Sequence, residues 1–555
     1  MKKELKIIPL GGCQEVGRNM TVFEYGKDIV ILDMGLQFPE EDMPGINYVI
    51  PNVDYLKGKE KNIRAVIFSH GHMDHIGAAP ILLKKLHNPP VIGRRFTIDL
   101  IKYRLEDFER GSSKRLKATY IKDLKEVHKF GEFVMKLFAV DHAIMDAMGV
   151  ILETPSATVI HPGDWTMEHD PTGRKKITYS HLSKLKKPTV LMLESLGSIN
   201  TKNPVTEKEM MKNLEGLIKE APGRIIIATF SSQVERIKQI IGIAGQNNKK
   251  VALDGFSMKM TMELAKELGY VKLDKRTMIG MDKINDYPDK KVIAIVTGAQ
   301  GEENAALSRI ANGDHRSIRI KKNDTVIFSS SVIPGNERTV QRLRDKLYRL
   351  SDYVIHSDIM DVHVSGHSNR NDMAEMIRQI KPTFFVPVYA NHFFLKEAAK
   401  IAYNLGYKEK DVIVPDNGSI ISVNSKEISV SDKKANVEDI YVDGSGVGDV
   451  GEIVLKDRQK LSDEGMFIIV AAVDKKTGQV KNSPDIISRG FIYLRESREL
   501  LAQTRRKVVK IINEAHDSGA VNWNNVKENI RKKIGQFLFS KTQRSPIILV
   551  VLIEV

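Results

Sequence analysis

The chain reads His70-Gly71-His72-Met73-Asp74-His75 directly after the apolar stretch Ala65–Phe68, which has the composition of a buried strand. A helical pattern begins at Ile76, so this polar segment is predicted to be a loop at the carboxyl end of a strand, where α/β proteins place their sites. Imidazole and carboxylate are ligands that suit zinc. Only 15 of the 555 residues are histidines, so three of them within six positions are improbable as a chance polar turn. We therefore predict a metal site in this loop, and two ions can share one such pocket.

Two further candidate ligands follow other predicted strands. His142 comes after the stretch Phe133–Val140, and Asp164 comes after Thr158–Ile160. Either residue alone is better explained as a solvated turn residue, but their positions after successive strands fit the loop at 70–75. A carboxylate has two oxygens that can bridge two ions, and we assign that role to Asp164.

Composition limits the class of protein. A chain of 555 residues exceeds what one hydrophobic core usually holds, so we expect roughly two to four domains. Cys13 is the only cysteine, which excludes an intrachain disulfide and a thiolate metal site and favours a reducing cytoplasm. The net charge of +15 is equally compatible with plain solubility and with a polyanionic partner. No apolar run reaches the roughly 20 residues of a membrane span, and the N-terminus lacks the apolar core of a signal peptide.

Hydrophobic patterning divides the chain further. Short apolar strands dominate up to about residue 200, and strands then alternate with helices, which predicts a parallel sheet. Residues 425–451 are polar and then Gly-rich. Gly446–Gly451 fits G-x-G-x-x-G, but no strand-turn-helix unit surrounds it, so we interpret this segment as a linker.

Several segments together resemble a known family. The pattern HxHxDH, then a distant His, then Gly-Asp after a strand, resembles the metallo-β-lactamase superfamily. Leu193-Glu194-Ser195 resembles the acidic motif that opens a β-CASP insert, and His363-Val364-Ser365-Gly366-His367 resembles the later β-CASP His motif. Further segments resemble bacterial ribonuclease J: Thr297–Glu302, Ser329–Glu337 and, most specifically, Pro484–Ser497. The resemblance covers nearly the whole chain.

The resemblance implies an α/β fold in which a metallo-β-lactamase αββα sandwich is split by an inserted β-CASP α/β domain and followed by a small α+β C-terminal domain. The expected boundaries are 1–200 and 358–424 for the two parts of the sandwich, 201–357 for the insert, 425–451 for the linker and 452–555 for the C-terminal domain.

The implied activity is hydrolysis of phosphodiester bonds in single-stranded RNA by a water that two zinc ions per chain activate. Such enzymes act as 5′→3′ exonucleases on 5′-monophosphate ends and as endonucleases, in RNA maturation and mRNA decay. The implied metal ligands are His70, His72, Asp74, His75, His142 and Asp164, and we assign the last ligand position, where the family's segment is altered, to His392. The implied catalytic residues are Asp74, Glu194 and His367, and the implied substrate-binding residues are His363, Ser365, Gly366 and His367. Expected partners are single-stranded RNA and further subunits, as a homodimer or homotetramer, alone or with a paralogue.

The last ligand is where the chain departs from the family. The usual segment is of the type Pro-Val-His-Gly-Glu, whereas this chain reads Pro387-Val388-Tyr389-Ala390-Asn391-His392. Either a remodelled loop lets His392 bind, or the second zinc is held more weakly. We favour His392, because imidazole is the far better zinc ligand. A milder departure is Glu235, where the family usually has His. Arg236 beside it either faces phosphate or is a surface residue of a helix.

Three alternatives remain at this stage. The first is a catalytically weak RNA-binding paralogue that serves as one subunit of a mixed ribonuclease J assembly, and the altered Tyr389–His392 region is its best support. The second is a metallo-hydrolase of small esters or lactams, and the third is a DNA nuclease of the same fold.

Overall fold

The structure is a computed structural model that describes residues 3–40, 42–167, 177–201, 205–475, 477–492, 497–517 and 522–555. It divides into two compact units. The first comprises Met1–Phe38 with Val49–Ile440, and the second comprises Pro39–Tyr48 with Tyr441–Val555. None of the helices in these described ranges is both long and apolar enough to cross a membrane.

The strands up to residue 434 are β1 Leu5–Gly11, β2 Met20–Tyr25, β3 Asp28–Leu32, β4 Tyr48–Ile50, β5 Ile63–Ile67, β6 Val91–Arg94, β7 Ala118–Ile121, β8 His128–Phe130, β9 Phe133–Ala139, β10 Met148–Glu153, β11 Thr158–His161, β12 Thr189–Glu194, β13 Ile225–Ala228, β14 Lys250–Asp254, β15 Val292–Val296, β16 Thr325–Phe328, β17 Tyr353–Ile355, β18 Phe384–Val388, β19 Ser419–Val423 and β20 Ile428–Lys434. The α-helices of this part are α1 Met73–Ile76, α2 Ala79–Lys85, α3 Arg95–Phe108, α4 Glu207–Glu220, α5 Val234–Gln246, α6 Phe256–Glu267, α7 Ala306–Asn312, α8 Glu337–Tyr348, α9 Arg370–Ile380 and α10 His392–Asn404.

Two large sheets form the centre of the first unit. Within the described residues, one sheet has eight strands in the order β20-β19-β1-β2-β3-β5-β6-β7, and the other has six in the order β18-β12-β11-β10-β9-β8. The alternation of side chains along β12 shows how they pack, since successive residues of a strand point to opposite faces. Val190 and Met192 join the core shared with the eight-stranded sheet, and Leu191 and Leu193 join the core covered by α9 and α10. The expected sandwich of sheets with helices outside is therefore present.

The insert follows from strand pairing. β12 and β18 are parallel neighbours, with Glu194 opposite Val388, although almost two hundred residues separate them in sequence. Part of the intervening chain forms a parallel sheet of five strands, counted over the described residues, in the order β14-β15-β13-β16-β17. Its strands alternate with helices, as the sequence predicts, because parallel neighbours need a crossover connection.

Strand direction brings separate loops to the same edges of the two large sheets. β3 and β5 are parallel neighbours, so the residues that follow Leu32 and Ile67 emerge side by side. β11, β12 and β18 are also parallel neighbours, so the residues after His161, Glu194 and Val388 emerge side by side in the other sheet. Sites in α/β proteins form outside such carboxyl ends.

The remaining elements are β21 Ile440–Asp443, β22 Gly446–Val447, α11 Glu452–Glu464, β23 Met466–Val473, β24 Asp485–Arg489, α12 Arg498–Asp517, α13 Trp523–Thr542 and β25 Ile547–Glu554. In the second unit β23 is central, antiparallel to β24 and parallel to β25. Residues of α12 and α13 bury one face of this sheet, with Val508, Ile530 and Ile534 in its core.

The segment 425–451 differs from the expected linker. Residues 428–434 form β20, which pairs with β19 at the edge of the eight-stranded sheet. The strand was missed because an edge strand exposes most of its side chains, so it is polar like a linker. Of β20, only Ile428 is buried.

Candidate metal centre

The loop after β5 presents its ligands in two steps. His70 and His72 precede the short helix α1, and Asp74 and His75 lie within it. The loop approaches the segment after β3 so closely that a Cβ atom on Gly35 would lie 1.6 Å from the carbonyl oxygen of Asp74. Only glycine fits there, and its absence of a side chain lets the two segments meet.

Four residues form the first group of potential ligand atoms: His70, His72, His142 and Asp164. Nδ1 of His72 lies 3.1 Å from Nε2 of His70 and 3.0 Å from Nε2 of His142. Oδ2 of Asp164 lies 3.8 Å from Nε2 of His70 and 3.8 Å from Nε2 of His142. Three imidazole nitrogens and one carboxylate oxygen therefore converge, which is a donor set that zinc favours.

Three residues form the second group: Asp74, His75 and Asp164. Nε2 of His75 lies 3.4 Å from Oδ2 of Asp74 and 3.3 Å from Oδ1 of Asp164. The two oxygens of Asp164 thus face different groups, Oδ2 the first and Oδ1 the second. This is the arrangement expected of a carboxylate that bridges two ions.

The electrostatics of the first group suit metal binding. Burial lowers the pKa of His72 to about 4 and that of His142 to about 3, and burial with the neighbouring imidazoles holds the pKa of His70 well below its usual value. These imidazoles are neutral at pH 7, and the neutral imidazole is the form that binds metal.

The second ring nitrogen of each histidine ligand also has a partner. Nδ1 of His142 lies 2.7 Å from the carbonyl oxygen of Gly366, and Nε2 of His72 lies 3.0 Å from Oγ of Ser232. Nδ1 of His70 is 3.0 Å from Oγ of Ser69. Such partners fix the ring orientation of metal-binding histidines. The donor atoms of both groups, and the protonation and supports of the first group, fit a pair of metal ions.

His367 lies beside Asp164. Its Nδ1 is 3.9 Å from Oδ2 of Asp164 and 3.6 Å from Oε1 of Glu194, and Glu194 is buried at the end of β12. Burial alone would lower the pKa of His367, but Glu194 outweighs burial and raises the pKa to about 9. His367 is therefore a cation at neutral pH, suited to contact with phosphate.

The β-CASP-like motif reaches this site through Gly366. A Cβ atom at Gly366 would lie 2.8 Å from Cβ of Ala143 and 3.3 Å from Cε1 of His142, so this position needs a residue without a side chain. The neighbouring Ser365 accepts a hydrogen bond from the backbone N–H of His367 with Oγ, at 3.1 Å. Ser365 and Gly366 also line a cavity of about 510 Å³ that His142 borders.

Comparison with known proteins identifies the family. Family models match residues 14–172 (metallo-beta-lactamase superfamily), 222–347 (ribonuclease J, beta-CASP domain) and 453–555 (ribonuclease J C-terminal domain). Ribonuclease J2 of Bacillus subtilis (strain 168) is 34% identical over 567 aligned residues that cover 100% of both chains. The chain belongs to the ribonuclease J family. Ribonuclease J 1 of Streptococcus pyogenes serotype M3 is 35% identical, with 98% of this chain and 97% of the relative covered. Ribonuclease J of Thermus thermophilus is 34% identical, with 99% and 95% covered.

Membership of the ribonuclease J family supports a nuclease of the hydrolase class that acts on RNA, and the metallo-β-lactamase domain suggests a metal cofactor. The expected order of three domain types is confirmed. A solved structure, that of a protein of unknown function from Enterococcus faecalis V583, covers 76% of this chain and 100% of its own, with a TM-score of 0.51 and 16% identity. That likeness concerns the fold alone.

The structure places His392 apart from the ligands, contrary to the expectation for this ribonuclease J family member. His392 is the first residue of α10, and its side chain is 48% exposed and 3.8 Å from Asp416. Tyr389 lies among the ligands instead, with its ring centroid 5.4 Å from that of His75. The reason is the backbone: Tyr389 has a φ of 60°, and the N–H of Ala390 donates to the carbonyl oxygen of Gly12. This turn directs Tyr389 inward before α10 begins.

His363 also has a different environment from the one expected. Its Nδ1 accepts a hydrogen bond from Nη1 of Arg236, at 2.7 Å. Arg236 is itself buried on α5, where Nη2 pairs with Glu207 at 3.2 Å. Both interpretations of Arg236 are therefore wrong, since it is neither on the surface nor free for phosphate. His363 contributes to this buried network, and the substrate role predicted for it has no support in these contacts.

Sequence reasoning missed four residues that support the ligands: Asn19, Asp33, Ser69 and Ser232. The available signal was position, since Asp33 directly follows the apolar strand β3 just as His70 follows β5. Of the Pro484–Ser497 segment that resembles ribonuclease J, residues 493–496 lie outside the described residues.

Proposed function

We propose that this protein hydrolyses phosphodiester bonds of single-stranded RNA with a water activated by two zinc ions per chain. It acts as a 5′→3′ exonuclease on 5′-monophosphate ends and as an endonuclease, in RNA maturation and mRNA decay in the cytoplasm. The observation that carries this proposal is the position of Asp164, because its two oxygens face two separate ligand groups. Nδ1 of His367 lies 3.9 Å from Oδ2 of the same carboxylate.

His70, His72 and His142 would hold one ion, Asp74 and His75 would hold the other, and Asp164 would contact both. When bound, such ions polarise phosphoryl oxygens and lower the pKa of water from about 15.7 to about 7.

Asp74 and His367 carry out the proton transfers. Desolvation alone would raise the pKa of Asp74, but His75 outweighs it and lowers that pKa, so the carboxylate is ionised at neutral pH. The Asp74 side chain is 36% exposed, so the carboxylate can orient the attacking water or accept its proton. The His367 cation can stabilise the phosphate or protonate the leaving 3′-oxygen, and Glu194 keeps His367 charged. Each of these groups stands within reach of the same bridging carboxylate.

The substrate approaches through the cavity that His142 borders. Ser365 and Gly366 lie on its wall, where a hydroxyl and backbone N–H groups can bind a terminal phosphate. The net charge of +15 favours a polyanion in general. The proposed assembly is a homodimer or homotetramer, alone or with a paralogue.

The test uses fluorescently labelled RNA of one sequence with a 5′-monophosphate or a 5′-hydroxyl, beside its 2′-deoxy counterpart. The wild-type chain is expected to release mononucleotides from the monophosphate end and to make internal cuts in RNA. Removal of a residue that only supports a metal ligand lowers activity by about 10–100-fold. Asp164→Asn changes a proposed ligand itself, so a larger loss of activity is expected. His128→Ala, whose ring pairs with Glu126, is the matched control and should cleave like the wild type.

A second candidate function is the catalytically weak RNA-binding paralogue, and the observation that favours it is Tyr389 among the ligands. That function predicts RNA binding without turnover by the metal-loaded wild-type chain. Absence of cleavage of every RNA form, with RNA still bound, would establish it and refute the enzyme.

A further inference from the structure

The second ligand group is incomplete on the side of Tyr389. Asp74, His75 and Asp164 supply three donors, one fewer than the four residues of the first group. The ring of Tyr389 stands where the sequence comparison placed the last ligand, and a phenol is not among the usual ligands of zinc. A fourth protein donor must come from another residue if the second ion is to be held as firmly as the first.

Asn19 is in position to be that donor. Asn19 is 2% exposed, and its Nδ2 lies 2.9 Å from Nε2 of His75 and 3.1 Å from Oδ2 of Asp74. The amide therefore already contacts one atom of each of two predicted ligands. Backbone hydrogen bonds hold Asn19 there, because its N–H donates to the carbonyl oxygen of Asp74 and its own carbonyl oxygen accepts from the N–H of Gly35.

The oxygen of the same amide, Oδ1 of Asn19, is buried and has no hydrogen-bond partner among the described residues. A buried amide oxygen without a partner costs about 1–3 kcal/mol, so its presence calls for an explanation. The terminal torsion of asparagine is roughly two-fold, so a half-turn exchanges the positions of Nδ2 and Oδ1. That turn gives the oxygen the ion as a partner, while Nδ2 gives up its contact with Asp74 and moves to the position that Oδ1 now occupies.

We propose that Asn19 is a ligand of the second metal position through Oδ1, in place of the donor that Tyr389 does not supply. The inference rests on the proposed metal centre and adds a residue to it. The resulting donor set is three oxygens and one imidazole nitrogen, against three imidazole nitrogens and one oxygen at the first position. Oxygen donors suit harder cations such as Mn²⁺ and Mg²⁺. The second position therefore accepts such cations more readily than the first position does.

The test counts metal ions and needs no RNA. The full-length apoprotein receives one equivalent of Zn²⁺ and is then titrated with Mn²⁺. Native mass spectrometry counts bound ions, and electron paramagnetic resonance measures free Mn²⁺. The wild-type chain is expected to bind one Mn²⁺ beside one Zn²⁺. Asn19→Leu keeps a similar volume without a donor atom, and it should retain Zn²⁺ but bind Mn²⁺ at least about tenfold more weakly.

Two further variants complete the design. Asn52→Leu replaces another buried asparagine, which accepts a hydrogen bond from the N–H of Asp54, and should bind both ions like the wild type. Asn19→Asp places a charged oxygen at the same position and should bind Mn²⁺ at least as tightly as the wild type. If Asn19→Leu fails to fold, the Mn²⁺ affinity of Asn19→Asp tests the proposal in its place.

Three results would overturn the proposal: a wild-type Mn²⁺ affinity in Asn19→Leu, a weaker one in Asn19→Asp, or a wild-type chain that binds no second ion. The first two results concern Asn19 alone and leave the proposed ribonuclease untouched. The third would also refute a two-ion mechanism, and the RNA cleavage assay of the wild-type chain distinguishes these cases.

Discussion

Oδ2 of Asp33 lies 2.8 Å from Nδ1 of His75, and both side chains are fully buried. The imidazole N–H therefore donates to the carboxylate, which leaves Nε2 directed at Asp74 and Asp164. Asp33 also accepts hydrogen bonds from the N–H and the hydroxyl of Ser69, the residue before His70. One carboxylate thus orients both ligand groups, in the manner of the carboxylate–histidine–metal triads of other enzymes.

Asp33→Asn should weaken binding of the second ion by about 10–100-fold, because an amide is a poorer acceptor for the His75 N–H and sets the ring less firmly. Isothermal titration with Mn²⁺ on the zinc-loaded chain measures this. Asp28→Asn is the matched control, since Asp28 pairs with Arg64 away from the ligands. Equal affinities in wild type and Asp33→Asn would show that the orientation of His75 does not depend on this contact.

Glu194→Gln should shift the pH profile of RNA cleavage. Glu194 raises the pKa of His367 to about 9, so the cation is present below that pH and is lost as pH rises through it. Without the carboxylate, burial lowers the pKa of His367, and the cation disappears at a lower pH. The alkaline limb of kcat/KM against pH should move down by at least about one unit. The control is Glu153→Gln, on a carboxylate that pairs with Lys136. An unchanged limb would mean that His367 is not the titrating acid.

The site could be predicted from sequence where ligand type and local context coincide. His70, His72, Asp74 and His75 lie within six consecutive positions after a recognisable strand, and each is a chemically distinctive residue. Asp33 has the same kind of position after β3, but an aspartate after a strand is also an ordinary turn residue. Its role depends on the parallel pairing of β3 with β5, which is a long-range contact that no local pattern reveals.

The wrong expectation for His392 has a similar origin. Chemistry favours imidazole over phenol, and His392 is only three positions after Tyr389. The positive φ of Tyr389 and the start of α10 at His392 decide which side chain turns inward. Backbone conformation at one residue therefore overrode ligand preference, and the local sequence gives no sign of that conformation.

Tyr270→Phe should loosen the loop that carries His142. The Tyr270 hydroxyl, from the segment after α6 of the insert, donates to Oδ2 of Asp146 at 2.7 Å, and Oδ1 of Asp146 pairs with Arg94 at 3.0 Å. Loss of a hydrogen bond to a charged group costs about 1.5–3 kcal/mol when buried, and about 1 kcal/mol is expected at this half-buried position. Chemical denaturation of wild type and variant measures this loss of stability. The rate of amide hydrogen exchange at residues 141–147 should rise in the variant. Tyr287→Phe serves as the control, and unchanged exchange would contradict the prediction.

Asp254→Asn should destabilise the insert in a pH-dependent way. The hydrogen bond from His315 and the ion pair with Lys259 hold the pKa of Asp254 well below its usual range. A depressed pKa stabilises the fold above the unfolded value of about 3.9, and this contribution is lost as pH falls further. The variant should be less stable by about 1 kcal/mol at pH 7, after allowance for solvent screening. Urea unfolding at pH 7 and at pH 3 measures the difference, which should shrink at pH 3. A difference in stability between wild type and variant that is the same at both pH values would contradict a lowered pKa of Asp254.

Tyr389→His should strengthen the second metal position. The backbone at residue 389 already has a φ of 60°, which histidine tolerates better than most residues, and the side chain there is buried beside His75. An imidazole at this point restores the donor type that the family usually has, so Zn²⁺ should bind the second position at least about tenfold more tightly. Competition with a chelating dye measures that affinity. His392→Ala should leave it within about twofold of the wild type, because that ring is half exposed on α10 and distant from the ligand groups. The opposite pattern, a loss in His392→Ala and no gain in Tyr389→His, would mean that the loop rearranges on metal binding and that His392 closes the site after all.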